Sequence, residues 1–299
     1  MNLSISQNAK IKVNDAILIS GSARSGTTIM GQVVHSMKNV EYSFEPPVLF
    51  TLMPFIDSLK KDEWKLLYET YLYEEFFINA ICGRSINCNT FDDSSIYKVK
   101  SSSDISSRIS QSIRKYEAES IGKDRVIAYK MPSITPLFPK VIDYYPDTRL
   151  ILMRRGAVAT INSLLEKKWF SNVGLSNNAS WPFLIKNNVN VPYWVCEEDV
   201  DLWLSMDEIN RCAYYYVKAS KMEGLDSAIV VQYEDLVSNP VGVITSLSDS
   251  LNLDFGPKTH EVISTIKPVK RELNFDVLHS VSPHLKEEIS KLEPGLEFA

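Results

Sequence analysis

Residues 16–30 read AILISGSARSGTTIM. Ala16–Ser20 is short, apolar and rich in β-branched residues, the composition of a strand buried on both faces of a parallel sheet. Gly21 and Gly26 bracket the turn that follows and allow backbone conformations and close approaches that a Cβ would block. A helix over Thr27–Met37 then takes the chain away. The N–H groups of such a loop and helix start converge on one point, where the helix dipole also favours an anion.

The same rhythm recurs outward from this stretch. Val126–Lys130 (VIAYK), Arg149–Met153 (RLILM) and Ala228–Tyr233 (AIVVQY) read as further buried strands, with Asn39–Phe44 as a less regular fifth. Helices are expected over Val158–Lys168, over Leu202–Glu223 with Gly224 as its terminating glycine, and over His284–Leu292. Another begins near Pro240, capped by Ser238 or Asn239, and runs to about Leu251. Alternating strands and helices predict an α/β fold of three layers, a central parallel sheet flanked by helices, in a single domain over residues 1–299. Two regions depart from the rhythm. Residues 52–125 read as mainly helical around the tract SSSDISSRISQS, and residues 169–201 are rich in Trp, Asn and Pro. Segments of this kind cover sites and select substrates.

Composition sets the outer limits. With 44% apolar residues and a formal charge of −5, the chain suits a packed core and lacks the basic excess of a general nucleic-acid binder. The four cysteines, Cys82, Cys88, Cys196 and Cys212, match no zinc spacing and read as free thiols. The first fifteen residues carry no apolar signal core, and no run is long enough to span a membrane, so a cytoplasmic protein without membrane or nucleic-acid partners is expected. Oligomeric state is not legible.

The loop GSARSGTT has the G-x4-G spacing of a nucleotide-phosphate loop, but Thr27 stands where the lysine of G-x4-G-K-[ST] belongs. Arg24 is the cation within it. Such a loop suits a phosphate-bearing donor without the lysine that reaches β- and γ-phosphates in triphosphatases. SARSGTT resembles the 5′-phosphosulfate loop of the sulfotransferase family. RLILMRRGAVATINS resembles that family's 3′-phosphate motif, and QYEDLVSNP its Y-E-D-L-x-x-[ND]-P landmark, all three in family order across residues 16–240.

The resemblance implies a P-loop-type fold and the donor 3′-phosphoadenosine 5′-phosphosulfate (PAPS), leaving the product PAP. It implies that Gly21, Ser22, Ala23, Arg24, Ser25, Gly26, Thr27 and Thr28 hold the 5′-phosphosulfate, and that an Arg and a helix Ser hold the 3′-phosphate. Eight residues after Arg154 is Asn162, whereas eight after Arg155 is Ser163. Strand phase favours Arg154 and hydroxyl chemistry favours Ser163, so both arginines stay in play. The resemblance also implies that Tyr233 lines the adenine pocket, and that a late basic loop closes the 3′-phosphate site, where Lys267, Lys270 or Arg271 stands.

Sulfuryl transfer needs a base at the acceptor proton and cations at the leaving group. Glu45, at the end of VEYSFEPP, resembles the base of the glutamate-dependent sulfotransferases; Glu41 is the fallback, and His35 reads as structural. Lys130, at the end of VIAYK, and Arg24 would hold the leaving group. No residue pattern calls for a metal. The expected acceptor is a small hydroxylated metabolite or carbohydrate, or an amine. A cationic acceptor is the alternative drawn from Trp169, Trp181, Trp194 and Trp203 beside Glu197, Glu198, Asp199 and Asp201. A small-molecule kinase with a degenerate loop, or a nucleotide-binding protein without catalysis, are the competing functions.

Overall fold

A computed structural model describes residues 3–110, 112–177, 183–186, 188–222, 224–268, 272–296 and 298. Five strands, β1 (Ile17–Gly21), β2 (Val40–Phe44), β3 (Val126–Lys130), β4 (Arg149–Arg154) and β7 (Ile229–Gln232), form one sheet in the order β2-β3-β1-β4-β7. All neighbours in it are parallel. These are the five strands that the apolar runs predict, each shifted by no more than a residue or two.

The sheet is buried on both faces because alternate side chains along each strand enter different cores. Leu18, Ile127, Tyr129 and Leu150 face a core shared with the N-terminal helix Gln7–Asn14 and the segment Leu49–Ile81. Ile17, Ile19, Ala128, Ile151 and Met153 face the opposite core, closed by the helices Thr27–Ser36, Pro240–Leu251 and Thr259–Ser264. A third cluster joins the helices Ala157–Lys167, Glu208–Ser220 and Pro283–Leu292 to Phe170, Val191, Trp194 and Trp203. No helix among the described residues is long and apolar enough to cross a membrane.

Register sets the site. Phe44 and Ile19 both lie beside Lys130, Gly21 beside Met153, and Arg154 beside Gln232. The carboxyl ends of the strands therefore share one sheet edge. The chain winds outward to β2 on one side of β1 and to β7 on the other, so the loop after β1 stands where the winding reverses, the usual ligand crevice of open α/β sheets.

Two expectations need correction. Leu202–Glu223 is not one helix: Val200–Ser205 ends first, and Glu208–Ser220 starts afresh because the Asp207 carboxylate accepts the Asn210 N–H at 2.9 Å. The second helix ends at Ser220 with Lys221 extended, so Gly224, though at φ +73°, is a loop glycine and not its cap. Residues 169–201 also contain an unforeseen hairpin of β5 (Phe183–Lys186) and β6 (Val189–Pro192). Asn239 does cap the helix Pro240–Leu251, accepting the Gly242 N–H at 3.1 Å.

Candidate active site

The loop after β1 has the shape its glycines require. Gly21 has φ +132°, and a Cβ there would lie 2.1 Å from the Met153 carbonyl oxygen. Gly26 has φ +91°, and its Cβ would lie 2.7 Å from the Tyr233 ring. Ser22 and Ser25 are buried and close the turn on itself: Ser25 Oγ donates to the Ser22 carbonyl at 2.6 Å and its N–H to the same oxygen at 3.2 Å. The Ala23 N–H donates to the Tyr215 hydroxyl, which also bonds Ser133 Oγ at 2.6 Å.

A cavity of about 290 Å³ opens at this loop. It is lined by Arg24, Gly26, Thr27, Thr28, Arg155, Ser163 and Tyr233, together with Ile29, Gln32 and Asp93. Arg24 Nε donates to Ser163 Oγ at 3.1 Å, and Arg155 Nη1 donates to the Arg24 carbonyl at 3.0 Å. The Arg155 guanidinium lies 4.7 Å above the Tyr233 ring, whose edge abuts Gly26. Trp169 stands 6.0 Å from the Arg24 guanidinium.

The two arginines of β4 part company here. Successive residues of a strand point to opposite faces. Arg154 Nη2 donates to the Leu292 carbonyl at 3.3 Å, at the end of the last helix. Asn162 is tied to Asn274 instead, its Nδ2 donating to the Asn274 carbonyl at 3.0 Å and its Oδ1 accepting the Asn274 N–H at 3.3 Å. Arg155 and Ser163 line the loop cavity, whereas Arg154, which strand phase favours, is the last residue of β4 and is not part of that lining. Lys270 and Arg271 lie outside the described residues, and Lys267 is exposed.

On the other side of the loop, Lys130 ends β3 with its side chain buried. Its ammonium bonds Glu45 Oε1 at 2.6 Å and Thr28 Oγ1 at 2.9 Å, and lies 4.1 Å from the centre of the Phe44 ring. Burial pulls the Lys130 ammonium below its ordinary pKa, and the Glu45 charge and hydrogen bond oppose that pull. Glu45 keeps 28% of its side chain exposed. Its backbone sits at φ +44°, a region that non-glycine residues adopt at a cost of about 1–3 kcal/mol. Arg24 at φ +73° and Ser133 at φ +71° share that strain. All three stand where strands meet the crevice, and strain of this kind collects at sites where side-chain direction matters.

The fallback base is sequestered. Glu41 is 1% exposed and paired with Arg108 at 2.7 Å and with Arg125. Burial alone would raise its carboxyl, but Arg108, Arg125 and Lys100 together hold it below the ordinary value. His35 is buried, and desolvation with the charges of Lys100 and Arg108 keeps its imidazole neutral. Of the tryptophans behind the cationic-acceptor alternative, two are used in packing among the described residues. Trp194 and Trp203 are core, 5.2 Å apart edge to face and packed on Phe170, Tyr214 and Tyr215. Asp199 pairs with Lys218 at 3.0 Å, and Trp181 lies outside the described residues. Sequence reading missed Tyr215, Ser133, Gln32 and Asp93, which carry no motif and reach the site only through tertiary packing.

No curated protein matches this chain. Among solved structures, it resembles the sulfotransferase domain of the curacin biosynthetic pathway, at 15% identity and a TM-score of 0.48, over 94% of this chain and 96% of that one. It also resembles the sulfotransferase domain of the Synechococcus PCC 7002 olefin synthase, at 15% identity and TM-score 0.42 over 94% and 88%. A third is a sulfotransferase from Mycobacterium avium, at 12% identity and TM-score 0.47 over 95% and 77%. The profile of the sulfotransferase family matches residues 16–257, a span that begins with β1, takes in the lysine-free loop, Glu45, Lys130 and the β4 arginines, and ends beyond β7. With that match across most of its length, the chain belongs to the sulfotransferase family.

Proposed function

We propose that the chain transfers a sulfuryl group from PAPS to a hydroxyl of a small molecule, with Glu45 as general base. The observation that carries this reading is the ion pair of Glu45 and Lys130 beside Thr28, on the same crevice as Arg24, Arg155 and Ser163. A donor phosphorylated at two positions needs two anion sites, and guanidinium groups supply permanent, multidentate charge.

In this reading Thr27, Thr28, Arg24 and the loop N–H groups hold the 5′-phosphosulfate, Arg155 and Ser163 the 3′-phosphate, and Tyr233 a wall of the nucleotide site. Glu45 takes the acceptor proton as the acceptor oxygen bonds to sulfur. The bond from sulfur to the phosphate oxygen breaks, and its electron pair stays on PAP, where Lys130 and the loop N–H groups meet the developing charge. Lys130 has two tasks, since the ammonium that meets the phosphosulfate also holds Glu45 at 2.6 Å. Donor binding draws it toward the phosphosulfate and leaves the carboxylate to the acceptor.

Calorimetric titration with PAP tests the donor. PAP binds without added metal, and at about a hundredfold excess over Kd it stabilises the fold by roughly 2.7 kcal/mol. No binding of millimolar PAP beside clear stabilisation by magnesium-ATP would replace this reading with a kinase.

A further inference from the structure

β2 is the outermost strand of the sheet and pairs only with β3. The Asn39 carbonyl accepts the Val126 N–H at 2.8 Å and the Glu45 N–H donates to the Lys130 carbonyl at 3.1 Å. Alternation along a parallel strand then turns the main-chain groups of Tyr42 and Phe44 to the free edge. A second cavity, of about 350 Å³, runs along that edge, with Glu41–Phe44 as its floor.

Its outer wall is a loop closed on itself. Ile96 N–H donates to the Asn87 carbonyl at 2.9 Å, Asn87 Nδ2 to Ser94 Oγ at 2.7 Å, and Ser94 Oγ to Asp92 at 2.8 Å. The loop is also a partition between the two cavities. Asp93 lines the donor cavity and its carbonyl accepts Gln32 Nε2 at 2.6 Å, while Ser94 lines the cavity at β2. Phe44 lines the second cavity, and the centre of its ring lies 4.1 Å from the Lys130 ammonium, which bonds Glu45, the next residue in the chain.

The lining defines a ligand. Tyr42, Phe44, Tyr71 and Phe76 give aromatic faces. Glu41 is taken by Arg108 and Arg125, Arg108 also by Asp104, His35 is held neutral, and Glu75 stands at the exposed rim. A charged guest would meet no unspent counter-ion inside, and burying an unpaired charge is expensive. The volume lies at the small end of ligand pockets.

We propose that this cavity is the acceptor subsite and takes a neutral, single-ring phenol, its hydroxyl at the Phe44–Glu45 end. The inference rests on the PAPS-dependent reading above. The phenol gives its proton to Glu45, its oxygen bonds to sulfur, and an aryl sulfate leaves with PAP as second product.

The test uses the full chain with PAPS and four acceptors: 4-methylphenol, tyramine, 4-hydroxybenzoate and methyl glucoside. We expect kcat/KM for 4-methylphenol to exceed each of the others by about tenfold or more, within the range one pocket contact can discriminate. Ile86→Trp, which fills the cavity, is expected to raise KM for 4-methylphenol by about tenfold, with PAP affinity within about twofold of wild type. Ile86→Ala, which enlarges it, is expected to improve 4-phenylphenol relative to 4-methylphenol. PAP binding without transfer to any phenol, a preference for methyl glucoside or a charged phenol, or a folded Ile86→Trp with unchanged KM overturns the acceptor proposal alone. Failure of wild type to bind PAP overturns the donor reading and this inference with it.

Discussion

Glu41 and Glu45 stand at opposite ends of one edge strand and have opposite surroundings. At the entry of β2, Glu41 is enclosed and both its oxygens are taken by guanidinium groups, Oε2 by Arg108 at 2.7 Å and Oε1 by Arg125. Just past the exit, Glu45 bends into a left-handed turn, keeps 28% of its side chain exposed, and shares one oxygen with a lysine that also reaches the phosphate loop. The side-chain chemistry is identical, so position decides the role. A carboxylate between two guanidiniums is a structural anion, and the charges that hold it also lower its affinity for a proton. In the proposed function, a carboxylate at the sheet's carboxyl edge, held by a lysine that a donor phosphate can claim, accepts the proton.

Exchanging each carboxylate for its amide separates the two roles. Glu45→Gln is expected to give the largest effect: sulfuryl transfer falls by about 10²–10⁴, the range for lost general-base catalysis, while PAP affinity stays within a few-fold. Transfer rate and PAP titration on the same preparation check this. Near-normal turnover would remove Glu45 from the role of base.

Glu41→Gln is expected to act on stability instead. Removing one partner of a buried ion pair strands the other charges, at a cost of about 3–5 kcal/mol, readable from urea denaturation. Acid sharpens the point. The folded pKa of Glu41 is held below its ordinary value, so its stabilisation is fully present above the unfolded pKa of about 4.3 and is lost as pH falls through the folded value. The acid limb of wild-type stability is therefore expected to flatten in Glu41→Gln. An unchanged limb would mean that the pair contributes nothing net.

The five strands were legible because burial on both faces writes itself as short runs such as AILIS and RLILM, which local sequence alone displays. The tight loop after β1 was legible because its glycines are sterically obligatory. Ser133 and Tyr215 were not, since hydroxyls that meet near the loop from the turn after β3 and from a distant helix leave no periodic trace. The hairpin at 183–192 was missed because Trp- and Asn-rich composition masked its short alternating strands. The tryptophans misled for a physical reason: an aromatic run beside carboxylates looks the same in sequence whether it cages a ligand or packs as core, and burial, which separates the two, is a property of the fold.

The arginines of β4 repeat the contrast of β2 at adjacent positions. Arg155→Ala is expected to weaken PAP by roughly 1.5–3 kcal/mol, the worth of a charge-assisted contact, and to weaken adenosine 5′-phosphate, which lacks the 3′-phosphate, far less. Calorimetry with both ligands reads the difference. Equal losses would take Arg155 away from the 3′-phosphate.

Arg154→Ala is expected to give the smallest effect. Its guanidinium reaches the Leu292 carbonyl, the last residue of the helix Pro283–Leu292, and not the loop cavity. A cation at a helix carboxyl end is worth about 0.3–1 kcal/mol, so a slightly lower melting temperature is expected. Affinities for PAP and adenosine 5′-phosphate should stay together, within about twofold of wild type, because the pleat turns Arg154 away from the crevice that receives Arg155. The comparison between these neighbours is stronger than either variant alone, since both replace the same side chain at adjacent positions, one ending β4 and one just beyond it. If Arg154→Ala instead lowers PAP affinity selectively, the strand shifts in the donor complex so that Arg154 enters the crevice, and the 3′-phosphate site belongs to Arg154 and Asn162.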